Sequence, residues 1–457
     1  MSEELPEGWI ESSIGSLFTF KYGKALKAED RSNSGSANVY GSNGIVGLHD
    51  KALTSGPTII IGRKGSVGEV HFSKTPCWPI DTTYYIDEFP CGLLPEFWEL
   101  LIRSLQLGQQ EKSSAIPGIN RDSAYQTAIP LPPLAEQKRI VEKLDAVLGK
   151  VDVCRQRLER IPTILKRFRQ SVLAAACSGK LTADWREENV GYFDSSGSEL
   201  PSIPRTWSWI TFSEVIEELR NGLSPKPSIE PPGIPILRIS AARRGLVDLS
   251  DHRFLPNGEQ HLEKYGLRDG DLMFTRYNGS LDLLGVCGMT RGLETQPCLY
   301  PDKLMRVRLD ESRAKPEFVE AVFSDETAHA RLIEKAKSSA GQNGISGKDL
   351  KMQLIPLPPL DEQQEIVRRV NALFSLADSL EGRYQNAKTH VDKLTQSVLA
   401  KAFRGELVPT EAELARREGR EYEPASVLLE RIHAERESRP KPARKRAARK
   451  RTAKKRS

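Results

Sequence analysis

Apolar residues recur at alternating steps of four and three positions along two stretches of the chain. In the first stretch they are Ile140, Leu144, Val147, Val151, Cys154, Leu158, Ile161, Leu165, Phe168 and Val172. Each has a counterpart 226 positions later, namely Ile366, Val370, Leu373, Ala377, Leu380, Tyr384, Ala387, Val391, Leu394 and Val398. This alternation is typical of a helix buried against one partner helix. The sequence therefore predicts two long helices of matched length whose apolar seams can cover each other.

Both predicted helices open with nearly the same motif. The two copies are Ile129-Pro-Leu-Pro-Pro-Leu-Ala-Glu-Gln137 and Ile355-Pro-Leu-Pro-Pro-Leu-Asp-Glu-Gln363. Proline lacks an amide donor and holds the preceding residue extended, so helix can begin only after each Pro-Pro pair. A further proline, Pro162, lies inside the first helical pattern. We expect it to kink the first helix near residues 158 to 162, and we expect no kink in the second.

A globular-looking segment precedes each helix, and the two segments share anchor sequences. The apolar run ending at Ile61 is followed by a glycine-rich turn, and the run ending at Phe274 is followed by a similar turn. Because a repeat of this size indicates duplication, we predict an α+β fold in which two mixed α/β domains are separated by two long antiparallel coiled-coil helices with pseudo-twofold symmetry. The expected segments are a first domain (1–128), first helix (129–180), linker (181–200), second domain (201–354), second helix (355–405), C-terminal helical segment (406–438) and disordered basic tail (439–457).

Charge changes this picture only at the C-terminal end. The formal net charge is +6, but residues 439–457 hold eleven Lys and Arg residues and no acid. Without them the net charge of residues 1–438 is −5. Any nucleic-acid surface on the body must therefore be local. Two interpretations of the tail stay open, since it could hold nucleic acid loosely or could simply aid solubility.

Several classes of chemistry are missing from the sequence. It has no G-x-x-x-x-G-K-[ST] nucleotide loop, no His/Cys grouping with zinc spacing and no Asn/Asp-Pro-Pro-aromatic tetrapeptide of an adenine methyltransferase. The six cysteines form no C-x-x-C pair, the first residues show no signal pattern, and no run of 18 apolar residues occurs. We expect a cytoplasmic protein with no metal, no membrane span and no catalytic residues.

The duplicated motif, the heptad helices and the matched anchors Lys112-Ser-Ser-Ala115 and Lys337-Ser-Ser-Ala340 resemble the specificity subunit of type I restriction-modification systems. The resemblance covers about residues 1 to 435. It implies two target-recognition domains that bind a two-part, asymmetric double-stranded DNA sequence, with the helices fixing the gap. It also implies two modification subunits that methylate adenine with S-adenosylmethionine, and restriction subunits that use ATP and Mg²⁺, with no cofactor bound by this chain. A module serving another modification enzyme and a coiled-coil scaffold without DNA remain alternatives.

Candidate DNA-binding residues are the cationic, amide and hydroxyl groups of the shared turns, because such groups bind base edges and phosphates. In the first domain they are Arg63, Lys64, Ser66, Lys112, Ser113, Ser114 and Asn120; in the second they are Arg276, Asn278, Ser280, Lys337, Ser338, Gln342 and Asn343. A scaffold role, as a helix cap or an ion pair, is the alternative for each. We expect Arg63 and Arg276 to affect opposite halves of the DNA sequence.

Overall fold

The structure is a computed structural model that describes residues 4–32, 34–109, 118–189, 201–293, 297–339 and 342–438. The chain divides into two compact units, one made of Met1–Leu158 with Ala387–Ser457 and the other of Glu159–Asn386. Each unit therefore combines one predicted domain with a part of each long helix. The α+β class and the two long helices are confirmed. The predicted tail, residues 439–457, lies outside the described residues.

The first unit begins with a domain of short strands. Its elements are β1 (Ile10–Ser13), α1 (Ile14–Leu17), β2 (Lys21–Tyr22), β3 (Ala37–Gly41), β4 (Gly44–His49), β5 (Thr58–Gly62), β6 (Val70–Ser73), β7 (Cys77–Pro79), β8 (Thr83–Ile86), α2 (Pro95–Ser104), α3 (Arg121–Gln126) and β9 (Ala128–Leu131). The central sheet has the order β2-β8-β5-β6, and a second sheet has the order β4-β3-β7. The apolar run of β5 is fully buried, as its lack of alternation predicts.

The first long helix is interrupted. It consists of α4 (Leu134–Glu159) and α5 (Ile161–Cys177), and α6 (Ala183–Asn189) follows. Pro162 lies in the first turn of α5, where its missing N–H needs no partner. The break at Arg160 therefore matches the discontinuity expected near residues 158 to 162.

The second domain repeats the scaffold with added strands. Its elements are β10 (Ser208–Thr211), β11 (Ile216–Asn221), β12 (Ile234–Leu237), β13 (Ala242–Arg243), β14 (Leu246–Val247), β15 (His252–Leu255), α7 (Leu262–Tyr265), β16 (Leu272–Thr275), β17 (Tyr277–Asn278), β18 (Cys287–Met289), β19 (Leu304–Leu309), α8 (Pro316–Ser324), α9 (Glu326–Ile333), β20 (Lys337–Ser339), β21 (Gln342–Gly344), α10 (Gly347–Lys351) and β22 (Leu354–Leu357). The sheet order β11-β19-β16-β18 corresponds to β2-β8-β5-β6 of the first domain, and the β10-β22 pair corresponds to β1-β9.

The second long helix, α11 (Leu360–Phe403), is continuous over 44 residues. Two shorter helices follow it, α12 (Glu411–Glu418) and α13 (Ala425–Ser438). On α13, Leu428 and Ile432 are buried in the core of the first unit. The C-terminal segment is therefore part of that unit's fold.

Within the first unit, the long helices run antiparallel. Near the C-terminal end of α4, Arg155 lies 3.4 Å from Asp392 of α11. Near the N-terminal end of α4, Arg139 lies 2.5 Å from Glu411, which follows the end of α11. The residue number therefore falls along the first helix as it rises along the second. This is the direction that the sequence predicts for the helix pair.

The second unit shows the same direction independently. Arg169 of α5 lies 2.6 Å from Asp378 of α11, and Asp184 of α6 lies 2.6 Å from Arg369. Here too the residue number rises along one helix as it falls along the other. The antiparallel arrangement is thus built into the packing of each unit by itself.

Burial along the predicted seam is uneven. Ile140, Leu144, Val151, Ile366 and Val370 are buried; Val147, Leu158, Leu373 and Val391 are partly buried; Cys154, Leu380 and Leu394 are exposed. The expectation of an unbroken buried seam is therefore wrong at the last three positions. A single partner helix covers only one side of an apolar position. Ile140, Leu144, Ile366 and Val370 also join a domain core, whereas Val151 is buried without joining one.

The repeated helix-opening motif acts as a structural joint. In the second unit the fully buried Glu362 carboxylate accepts hydrogen bonds from Trp207 Nε1 at 2.8 Å and Thr182 Oγ1 at 2.7 Å, and it pairs with Arg186. In the first unit the corresponding Glu136 accepts from the Glu411 backbone N–H at 2.8 Å. Each carboxylate thus binds the segment that follows the other long helix. The same structural role is therefore filled by both copies of the motif.

Candidate nucleic-acid interface

The first predicted site begins where β5 ends. A Cβ at Gly62 would lie 2.1 Å from the Ser66 carbonyl oxygen, so the turn can close only around glycine. The Arg63 backbone is fixed on both sides, since its N–H donates to Thr82 O at 2.9 Å and its carbonyl accepts from Ile119 N at 3.4 Å. The turn therefore presents the Arg63 side chain from a defined backbone position.

The Arg63 guanidinium lies among aromatic rings. Its Cζ is 5.4 Å from the ring centroid of Tyr22 and 5.8 Å from that of Tyr84, and Nη2 donates to the Asp81 carbonyl at 2.9 Å. Burial raises the pKa of Tyr84 to about 12, and its hydrogen bond with Tyr22 acts in the same direction. Tyr84 therefore stays a neutral phenol beside the guanidinium. Stacking on a ring holds a guanidinium without neutralising it.

Arg121, the first residue of α3, joins this group. Its Cζ lies 5.8 Å from the Tyr22 centroid and 5.7 Å from the Tyr125 centroid. Neither Arg121 nor Tyr22 was among the residues predicted from the sequence. The available signal was an arginine that directly follows Gly118-Ile119 and a helix-capping residue. That cap is Asn120, whose Oδ1 accepts from the backbone N–H of Asp122 at 2.9 Å.

The other candidates of the first domain lie in the turn after β5 or outside the described residues. Lys64 is exposed and Ser66 is half-buried, both in the turn after β5. Lys112, Ser113 and Ser114 lie outside the described residues. The structure therefore gathers Arg63, Arg121 and Tyr22, of which the sequence predicted one.

In the second domain Arg276 occupies the position of Arg63. Its N–H donates to Lys303 O at 2.8 Å and its carbonyl accepts from Ile345 N at 3.0 Å, which repeats the two backbone bonds of Arg63. The guanidinium lies 4.7 Å from the Tyr277 ring centroid. Among the residues that the structure describes, no hydrogen bond from this guanidinium is found. Its Nε is buried, so the terminal nitrogens are the donors available to a ligand.

The remaining candidates of the second domain surround Arg276 on the small sheet β17-β21-β20. Asn278 Oδ1 accepts from the Ser280 N–H at 3.0 Å, and Asn343 Nδ2 donates to Gly279 O at 3.5 Å. Lys337 is exposed on β20. Ser338 and Gln342 lie on β20 and β21, but their side chains are outside the described atoms. The structure thus brings most of this predicted set onto one small surface.

The corresponding backbones carry different side chains in the two domains. Gly23 and Gly222 make equivalent backbone bonds to Thr83 and Leu304, so the preceding residues, Tyr22 and Asn221, correspond. The helices α3 and α10 are capped by Asn120 and Ser346, so their first residues, Arg121 and Gly347, also correspond. The described residues of the second domain therefore do not repeat the Tyr22–Arg121 pair, and there Arg276 lies against Tyr277 instead.

Two further findings concern the described part of the chain. No group of three or more His, Cys, Asp or Glu side chains there could hold a metal ion. No helix among these residues combines the length and apolar character needed to cross a membrane.

A comparison with known protein families finds the same duplication. The family model described as the type I restriction modification DNA specificity domain matches residues 6–163 and again residues 204–388. The specificity subunit of the type I restriction enzyme EcoKI from Escherichia coli strain K12 is 40% identical over 469 residues, covering 95% of this chain and 96% of that protein. The EcoDI specificity subunit from Escherichia coli is 30% identical, with 95% and 96% covered.

Solved structures agree in fold. A chain from a study entitled "Structural basis underlying complex assembly and conformational transition of the type I R-M system" matches with a TM-score of 0.64 at 20% identity, covering 88% of this chain and all of that one. The HsdS subunit from Thermoanaerobacter tengcongensis matches with a TM-score of 0.51 at 20% identity, covering 89% and 99%. At this identity the likeness concerns the fold alone.

Proposed function

The chain belongs to the type I restriction-modification DNA specificity family, and from that premise we propose that it selects an asymmetric, two-part DNA sequence, each domain contacting one part. One observation carries the proposal. Arg63 and Arg276 occupy equivalent backbone positions, yet their surroundings differ. A shared scaffold with different side chains at the same place is what two readers of different sequences require.

The chemistry of both surfaces suits DNA. A guanidinium fork recognises guanine through its O6 and N7 acceptors, and amide or hydroxyl groups add base and phosphate contacts. In the first domain Arg63 and Lys64 would contribute, and in the second Arg276, Asn343 and Lys337. Asn120 and Asn278 would act indirectly, because each fixes a local turn or cap.

Partner subunits would carry out the chemistry. Two modification subunits would transfer the methyl group from S-adenosylmethionine to adenine, and restriction subunits would use ATP and Mg²⁺, so this chain would be non-catalytic. Exposed apolar residues on the long helices are candidate contacts for these protein partners. They are Val153, Ile164, Leu376, Leu380 and Leu394. All six cysteines are free thiols, which suits a reducing cytoplasm.

Reconstitution tests the proposal. The chain would be purified with and without an adenine methyltransferase encoded beside it, and methylation of random-sequence DNA would be mapped. We expect no methyl transfer or ATP hydrolysis by the chain alone, and methylation at one two-part sequence by the complex. Methyl transfer by the chain alone would contradict the non-catalytic role. Methylation without sequence preference would favour a coiled-coil scaffold.

A further inference from the structure

Two guanidinium groups of the first domain share one exposed aromatic ring. Arg63 and Arg121 lie 5.4 and 5.8 Å from the centroid of Tyr22, whose side chain is 53% exposed. Like charges gathered this closely repel each other. The described carboxylates relieve this only weakly, because the ion pair found here joins Arg121 Nε to Asp122 Oδ1 at 3.9 Å. An acceptor-rich ligand that approached the ring would stabilise both cations.

The two guanidinium groups differ in what they can still donate. Arg63 Nη2 is already engaged by the Asp81 carbonyl at 2.9 Å. No hydrogen bond from Arg121 to another described residue is found, so both of its terminal nitrogens are available. Direct reading of guanine needs two parallel donors from one guanidinium. Arg121 meets this requirement better than Arg63.

Tyr22 can align the Arg121 fork without consuming its donors. A ring face attracts a guanidinium through its π electrons and leaves the N–H groups at the rim free. Tyr125 lies 5.7 Å from Arg121 and limits its movement from a second direction. The planar group is therefore held in place while its hydrogen-bonding edge stays open.

We propose that Arg121 is the base-reading residue of the first domain and that Tyr22 positions it. Arg63, whose Nη2 is already engaged by the Asp81 carbonyl, instead contacts the DNA backbone. This inference rests on the proposed function and deepens it. In the second domain Gly347 occupies the position of Arg121. There the guanidinium with terminal nitrogens available to a ligand is that of Arg276. The two domains thus place their reading guanidinium on different elements of one scaffold.

The test uses the complete chain assembled with its modification subunits. For Arg121→Ala we expect discrimination at one base pair, in one half of the methylated sequence, to fall about 5- to 150-fold while the other half is unchanged. Arg121→Lys should lose discrimination at the same base pair, because an ammonium keeps the charge but lacks the planar fork. Tyr22→Ala should relax that base pair too, whereas Tyr22→Phe should retain it.

Controls separate this inference from the proposed function. Lys348→Ala, on the corresponding helix of the second domain, should leave the first half intact. Arg63→Ala should weaken binding to all sequences alike and reduce its salt dependence. Uniform weakening by Arg121→Ala, or no effect from Arg121→Lys in an assembled complex, would overturn the assignment of Arg121 alone. Absence of any sequence preference in the unaltered complex would instead overturn the proposed function.

Discussion

At the scale of single residues, the candidate sites show what a linear sequence can reveal. Arg63 and Arg276 were identifiable because each follows a buried strand at a turn, and the structure places both on equivalent backbone. Tyr22 and Arg121 were not, because strand pairing and helix packing bring them to Arg63 from distant parts of the chain. Local patterns report turns and caps, whereas the neighbours of a side chain depend on tertiary contacts.

The buried Glu362 allows a test at this scale. Glu362→Ala would remove the carboxylate partner of Arg186 and leave the donors of Trp207 Nε1 and Thr182 Oγ1 without an acceptor in a buried place. We expect it to lower the free energy of unfolding by about 3 to 5 kcal/mol, because removing one member of a buried ion pair strands the other. Urea-induced unfolding measures this loss.

Asp361→Ala is the matched control, since Asp361 is the exposed neighbour in the same helical turn. Its contribution comes only from the helix dipole, so its loss should cost less than about 1 kcal/mol. Equal effects of the two substitutions would contradict the role of Glu362 as a joint.

At the scale of elements, the periodicity of the sequence predicted both long helices, and Pro162 predicted the break in the first. These features follow from the chain itself, because proline geometry and apolar spacing act locally. The exposed positions Cys154, Leu380 and Leu394 could not be foreseen. Whether an apolar position is covered depends on which other elements pack against the helix, and periodicity carries no information about that.

Exchanging residues between the two helices tests this local account. Lys388 stands 226 positions after Pro162, inside the continuous helix α11. Lys388→Pro should cost about 3 kcal/mol or more, because proline removes a hydrogen bond and clashes with the preceding turn. Pro162→Lys should change stability by less than about 1 kcal/mol, since Pro162 already occupies a first-turn position.

Urea midpoints and helical circular dichroism distinguish these outcomes, with Lys388→Ala as the control for the lost side chain. A cost for Pro162→Lys as large as that for Lys388→Pro would show that the interruption at Arg160 is a required feature. The fold would then need this interruption, and Pro162 would not merely be tolerated there.

At the scale of the whole molecule, duplication explains both the likeness and the difference of the domains. The central sheets have the same strand order, and the β1-β9 and β10-β22 pairs match. Between β11 and β16 the second domain has four strands, β12 to β15, where the first has only β3 and β4 between β2 and β5. The two added strands and the substituted residues Asn221 and Gly347 lie on that common frame. The sequence predicted the duplication because its anchors are local motifs, but the geometry of the added strands has no counterpart from which to infer it.

If each domain reads its own part of the DNA, the second can be replaced without disturbing the first. Exchanging residues 201–354 for the corresponding domain of a relative should change one half of the methylated sequence and preserve the other. Arg276→Ala should act in that same half, where losing a bidentate contact costs about 1 to 3 kcal/mol of discrimination at one base pair. Methylation mapping of both variants is the measurement, and Arg121→Ala provides the complementary case in the other half. Changes in both halves from either second-domain variant would mean that the halves are read jointly, and the independence inferred from equivalent backbones with different side chains would fail.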